Sequence, residues 1–380
     1  MEQLFQYFYS ITMEEIQKKR KKSIAFRLGH TYLSKKTAGI RNNERHGYTL
    51  NEVQKRQLKT LQLQIYLVAG IIGACAVMVV IFPFHFTSLL DAQHFDLFGY
   101  QFDFELYYTI YAVVMIFPEI WLLNMLNIYA VRRICEIYKY PSVSQTDYQE
   151  QVALLTEAGL EMPAKHMQLL EINPYLGLTK FSYYALLIGT KLKATLSNVL
   201  MKFLVRRFLG RYALRIVTDL VGIPIFAFWN AWSSRQVIKE TKMRIVSTAA
   251  AKDFMSEFTE EELVLVEGKL NKLVHFIAQQ KRQYNFALYS FMKELLLILP
   301  DLDLKYDQEV KIEELFGNDP NENTLIARLL VFGLIVDGTL SVKERLTIRK
   351  IAKEPWFPVS IDEMEVILKG YVNGEGLKRF

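Results

Sequence analysis

Two apolar runs limit what this chain can fold into. Residues 65–84 (IYLVAGIIGACAVMVVIFPF) carry no charged side chain, and residues 106–131 (LYYTIYAVVMIFPEIWLLNMLNIYAV) carry one, Glu119. A helix of about 20 apolar residues crosses the hydrocarbon core of a bilayer. Lipid offers backbone N–H and C=O groups no partner, so each run must satisfy its own as a helix. The pattern predicts a transmembrane hairpin over residues 61–135, with spans near 65–84 and 106–131.

The flanks set an expected orientation. Before the first run stand Lys18, Lys19, Arg20, Lys21 and Lys22, then Arg27, Lys35, Lys36, Arg41, Arg45, Lys55, Arg56 and Lys59. Between the runs, residues 85–105 hold no Lys or Arg, but include Asp91, Asp96, Asp103, Glu105, His85 and His94. Arg132 and Arg133 follow the second run at once. Lys and Arg in short loops mark the cytoplasmic side. Both termini are therefore expected in the cytoplasm of a bacterial inner-membrane protein, with the acidic loop outside. No short apolar core with a cleavage site opens the chain, so the first run is expected to serve as its own insertion signal.

Formal net charge is +6, and much of the excess lies beside the apolar runs. That placement favours anionic lipid over nucleic acid as the partner of the basic residues. Cys75 lies inside the first run and Cys135 just past the second. Neither is placed for a disulfide framework or a zinc cluster.

Residues 1–60 read as a basic cytoplasmic arm. Leu4, Phe5, Tyr7, Phe8 and Ile11 give it an apolar helical face, suited either to a membrane surface or to packing on the soluble part. Thr49 and Glu52 have capping-box spacing, which predicts a helix start that runs on into the first span. Residues 136–180 read as a helical linker, with helices over 148–160 and 163–171, the second broken by Asn173-Pro174.

Residues 181–235 read as amphipathic or membrane-inserted helices. Lys191, Lys193 and Lys202 interrupt residues 181–211, and charge at mid-bilayer is costly. An in-plane helix is expected there, with Arg206, Arg207, Arg211 and Arg215 on lipid headgroups. Residues 216–232 contain Asp219, Gly222 and Pro224, which leaves a short kinked span, a re-entrant helix and a monotopic insertion all open. Trp229 and Trp232, followed by Arg235 and Lys239, read as an interfacial anchor.

Residues 236–380 read as a cytoplasmic helical domain. Thr259 and Glu262 form a capping box, after which Leu263, Val266, Leu270, Leu273, Val274 and Ile277 recur at helical spacing. Further helices are expected over 286–299, 324–336, 341–353 and 360–372. No Val/Ile/Thr-rich alternating run appears, so the expected class is all-α. The whole reads as an integral membrane hairpin, amphipathic membrane-associated helices and a cytoplasmic bundle.

Inside the second run, Glu119, Asn124 and Asn127 are the polar candidates. An ionisable group at that depth points to an ion or proton path, or to interhelical hydrogen bonding as packing. Arg215 and Asp219 lie four apart and pair on one helix face. The histidines (His30, His46, His85, His94, His166 and His275) are scattered. No phosphate-binding Gly-Lys loop, nucleophile elbow, His-Glu-x-x-His pair or Rossmann glycine pattern is present, so neither catalysis nor an organic cofactor is expected.

Residues 325–344 read LIARLLVFGLIVDGTLSVKE. An apolar helix ending in Asp-Gly, then two residues, Ser, and Glu three later resembles the tellurite-resistance TerB-like domains over about residues 324–372. The resemblance implies a small helical bundle with the motif between two antiparallel helices. It also implies a divalent metal at the acidic positions, here Asp337 and Glu344. Thr339 stands where that family usually has an acidic residue, and no second acidic turn is found. The same residues have a structural reading: Asp337-Gly338 closes a helix in the left-handed region, and Ser341 with Glu344 caps the next. The stretch from Trp229 through the basic residues after it is also similar to the closing part of EcsC-like bacterial membrane-associated proteins.

These features point to a non-catalytic membrane scaffold or sensor in envelope or stress response. It is expected to be homo-oligomeric, to contact anionic lipid, and to present its TerB-like end to a cytoplasmic protein. A second reading is an oligomeric ion channel or transporter using Glu119, Asp219 and Arg215. A third is an anionic-lipid-binding membrane organiser driven by residues 18–22 and 181–215.

Overall fold

A computed structural model of the chain describes residues 23–40, 49–86, 93–97, 100–104, 106–142, 147–162, 170, 172–179, 181–182, 221–283, 285–306, 308–378 and 380. Among these there are ten α-helices: α1 Ile24–Thr37, α2 Glu52–Phe86, α3 Leu106–Tyr138, α4 Tyr148–Gly159, α5 Gly222–Met255, α6 Glu260–Lys281, α7 Phe286–Ile298, α8 Pro320–Ile335, α9 Val342–Ile348 and α10 Ile361–Val372. The helical class is the one expected. One departure lies between α2 and α3, where β1 Gln93–Leu97 and β2 Tyr100–Phe104 pair antiparallel, with His94 opposite Asp103. Two compact units divide the chain, one of Leu58–Arg133 and Lys180–Lys239, the other of Met1–Gln57, Ile134–Thr179 and Glu240–Phe380.

In the first unit, α2 and α3 are each long and apolar enough to cross a membrane. Their outer faces are bare: Leu63, Leu67, Ile71 and Phe82 on α2, and Ile110, Phe117, Trp121 and Met125 on α3 are exposed, Phe117 by 70%. A side chain of this size left in water forgoes about 1.5–3 kcal/mol of burial, so a band of them calls for apolar surroundings. From Leu63 to Phe82 the helix rises about 28 Å, close to the ~30 Å of bilayer hydrocarbon.

Pro83 lies inside α2 and has no N–H for the carbonyl one turn back, that of Val79. The Tyr111 hydroxyl of α3 donates to this oxygen at 2.9 Å. The bond ties the two helices together at the level where α2 has lost one of its own. Tyr111→Phe is expected to destabilise the pair by about 0.5–2 kcal/mol, measured by unfolding in detergent. Unchanged stability would mean that this carbonyl is satisfied in another way.

The second unit has an aromatic centre. Phe332 of α8 stacks on Phe254 at 4.1 Å and meets Phe291 edge-on at 5.2 Å. The residues expected on the inner face of α6 (Leu263, Val266, Leu270, Leu273, Val274 and Ile277) are all buried, and Thr259 with Glu262 forms the expected capping box. Helices α6 and α8 approach closely at Gly333, where an added Cβ would overlap Ile277. α1 joins the unit through Thr37, hydrogen-bonded to the Tyr148 hydroxyl at 2.8 Å.

The start of α2 also belongs to this unit and corrects one expectation. The reciprocal cap is made by Asn51 and Gln54 rather than by Thr49 and Glu52: Gln54 N–H donates to Asn51 Oδ1 at 2.8 Å, and Asn51 N–H to Gln54 Oε1 at 3.0 Å. Leu50 is buried and its N–H donates to the Gly374 carbonyl at 2.8 Å. That bond ties residue 50 to Gly374, while the helix itself starts at Glu52, with Asn51 as its cap.

Candidate functional site

The polar groups of the first unit lie where α5 meets α2 and α3. Gly73 lets α5 come close: a Cβ there would lie 2.6 Å from the Phe226 carbonyl oxygen and 2.8 Å from Asn230 Nδ2. Asn230, buried on α5, donates from Nδ2 to Glu119 Oε1 at 2.8 Å. One turn on, the Ser234 hydroxyl donates to Asn127 Oδ1 at 2.8 Å, with both residues buried. Glu119 is about 13 Å along the axis from Ile110, near the middle of the exposed apolar stretch of α3. Asn124 is half-buried on the same helix and is not brought into these two pairs. Asn127 Nδ2 and Trp229 Nε1 are buried with no hydrogen-bond partner among the described residues.

The sequence pointed to Glu119 and Asn127 but not to their partners. Asn230 lies between Trp229 and Trp232 of the expected interfacial anchor, and Ser234 directly precedes its Arg235. Their i, i+4 spacing on one face of α5 was the available signal. Residues 183–220 precede the described start of α5, so Asp219 and Arg215 lie outside the described residues. So do Lys18, Lys19, Arg20, Lys21, Lys22, Arg206, Arg207 and Arg211, the helix expected over 163–171, and nearly all of 181–211.

The second unit brings Asp337 and Glu344 together around a lysine. Lys281, at the end of α6, places its ammonium 2.8 Å from Asp337 Oδ1 and 3.0 Å from Glu344 Oε1. It donates also to the carbonyls of Leu334 at 2.6 Å and Thr339 at 2.9 Å. All three charged side chains are buried, with Lys281 only 3% exposed. The second oxygen of Asp337 accepts from Asn285 Nδ2 at 2.8 Å, while Asn285 Oδ1 caps α7. Glu344 also forms the expected capping box with Ser341, and Gly338 holds φ +70°, the left-handed turn that ends α8. Among the described residues no group of three or more His, Cys, Asp or Glu side chains is arranged to hold a metal. A metal at Asp337 and Glu344 does not fit this arrangement, because the ammonium takes one oxygen of each carboxylate and two carbonyls besides.

Lys293 links α7 to α4, with its ammonium 3.1 Å from Glu150 and 3.8 Å from Asp147. Next to it, burial pushes the Glu294 carboxyl above its ordinary value; Lys293 and Lys252 offset part of that, and Asp147 adds to it. Folded Glu294 therefore keeps its proton to higher pH than unfolded Glu294. Its contribution to stability is full below the unfolded pKa, about 4.3, and is lost as pH rises through the folded value. Glu294→Gln is expected to raise Tm at neutral pH and to leave it unchanged near pH 4. A gain that shrank as pH rose would contradict this assignment.

No family model, curated protein or solved structure matches the chain.

Proposed function

We propose that the chain is a non-catalytic, membrane-tethered scaffold or sensor: a helical anchor that carries a packed helical domain for partners to bind. One observation carries the reading. Glu119, the only charged side chain in the second apolar run, gives its Oε1 to Asn230 of a third helix. A polar group used in this way joins helices in lipid, where small residues and hydrogen bonds replace the hydrophobic effect as the cause of packing. Gly73 and the Ser234–Asn127 bond support the same role. The basic flank of α2, including exposed Arg56 and Lys59, supports an inner-membrane placement with cytoplasmic termini. In this reading the C-terminal helices, with their TerB-like Asp-Gly turn, face a cytoplasmic protein in envelope or stress response. The protein is homo-oligomeric and touches anionic lipid.

The test is ion and proton flux in proteoliposomes made with wild type and Glu119→Gln. Flux at the lipid background for both, with Glu119→Gln still folded, is the expected result. Flux that requires Glu119 would overturn the scaffold and establish the second reading, an oligomeric channel or transporter. One observation favours that alternative: the Nδ2 of Asn127, buried and without a hydrogen-bond partner among the described residues, lies on the same helix two turns from Glu119.

A further inference from the structure

The environment of Lys281 is that of a bound ion. Four oxygens from one short stretch converge on its ammonium: the carbonyls of Leu334 and Thr339, Asp337 Oδ1 and Glu344 Oε1. Their order along the chain has a counterpart in metal chemistry. The latter half of a calcium-binding helix–loop–helix presents an acidic side chain, an obligatory glycine in the sharp turn, a backbone carbonyl, and a glutamate five residues later. Asp337, Gly338 at φ +70°, the Thr339 carbonyl and Glu344 follow that order. The earlier half of such a loop supplies further oxygen side chains, and here those places are apolar: Gly333, Leu334, Ile335 and Val336. A free Ca²⁺ takes six to eight oxygens, and this stretch offers four. An ammonium has three N–H donors, and this stretch gives it three hydrogen-bond acceptors and a fourth oxygen, of Glu344, at ion-pair distance.

We infer that Lys281 is an internal cation, standing at the Asp337–Gly338–Thr339–Glu344 turn where a divalent metal would otherwise be held. The tethered charge fixes the end of α6 to the α8–α9 turn and makes the packing of this unit independent of metal. Asn285 extends the same clamp to the first turn of α7. Without the lysine side chain, the same oxygens and the space it vacates take up a hard divalent cation of the Ca²⁺ class, with water completing the shell.

The experiment uses the full chain in detergent, as wild type, Lys281→Ala and Lys281→Ala/Glu344→Gln. Melting is followed in excess chelator and in millimolar CaCl₂, and Tb³⁺ luminescence is read by excitation of tyrosine. Tyr371 is placed as a sensitiser, because its hydroxyl donates to the Val336 carbonyl at 3.0 Å. Wild type is expected to melt at one temperature in both media and to show no saturable Tb³⁺ signal. Lys281→Ala is expected to melt several degrees lower in chelator, to recover with Ca²⁺, and to bind Tb³⁺ saturably; the double variant loses both responses. A wild type stabilised by Ca²⁺ would overturn the inference, since the metal would then be the native ligand. A folded Lys281→Ala indifferent to Ca²⁺ and Tb³⁺ would overturn it too. So would a Lys281→Ala that stays unfolded with Ca²⁺ present, provided that Lys281→Met, which keeps the bulk of the side chain, folds.

Discussion

Gly73→Val is expected to unseat α5 from the α2–α3 hairpin. The clash is with backbone: the first carbon of any side chain at position 73 would stand 2.6 Å from the Phe226 carbonyl oxygen, and no rotamer change relieves it. α5 has to withdraw, and both Asn230–Glu119 and Ser234–Asn127 lengthen beyond hydrogen-bond range as it does. Overpacking of this kind costs about 1–3 kcal/mol, and interhelical hydrogen bonds in membranes are worth about 0.6 kcal/mol each, at most about 1.7. The loss should total about 2–5 kcal/mol, measured by reversible unfolding in mixed micelles. Gly70→Ala is the control, because its Cβ would meet the Ala227 oxygen at an ordinary 3.5 Å and should cost little. Wild-type stability in Gly73→Val would mean that α5 does not rest on α2 at this glycine.

Lys281→Met is expected to cost about as much, for the opposite reason: nothing clashes, but two buried carboxylates lose their common cation. Removing one partner of a buried charge pair typically costs about 3–5 kcal/mol, because the remaining charge is left uncompensated. Met keeps the packing volume along the stem, so the loss isolates the charge. A further variant separates this account from a packing defect. Removing the charge of both carboxylates as well, in Lys281→Met/Asp337→Asn/Glu344→Gln, should recover part of the loss, because no uncompensated charge then stays buried. A triple variant that melts no higher than Lys281→Met would point to packing.

The parts of this structure that were legible in the sequence are those whose signal is local. The apolar runs of α2 and α3 announce themselves by length and scarcity of charge, and the capping boxes at Thr259 and Ser341 are each complete within four residues. The β1–β2 hairpin is also written locally, but in residues outside the Val/Ile/Thr pattern. Phe95, Leu97, Phe102 and Phe104 alternate with polar residues around Phe98-Gly99, a strand pattern built on aromatics instead of Val, Ile and Thr. What failed for physical reasons was whatever depended on distant partners. Leu50 answers to Gly374, Glu119 to Asn230, and Asp337 to Lys281. In each case the residue was visible and its partner was not, because spacing along the chain carries no information about a contact closed by the fold. The metal implied at Asp337 and Glu344 shows the consequence: the acidic residues were read as a site, while the lysine between them lies 56 positions upstream.

The bond from Leu50 to Gly374 has a consequence for how the protein is made. Synthesis at about 5–20 residues per second separates these two residues by roughly 20–60 s. During that interval both apolar runs have already left the ribosome, while Leu33 and Leu50, buried in the finished protein, have no completed core to enter. The second unit therefore completes its packing only after both runs have been made. A ribosome that stalls before the last helix leaves this unit unfinished, with the apolar surface around Leu50 bare and prone to aggregate.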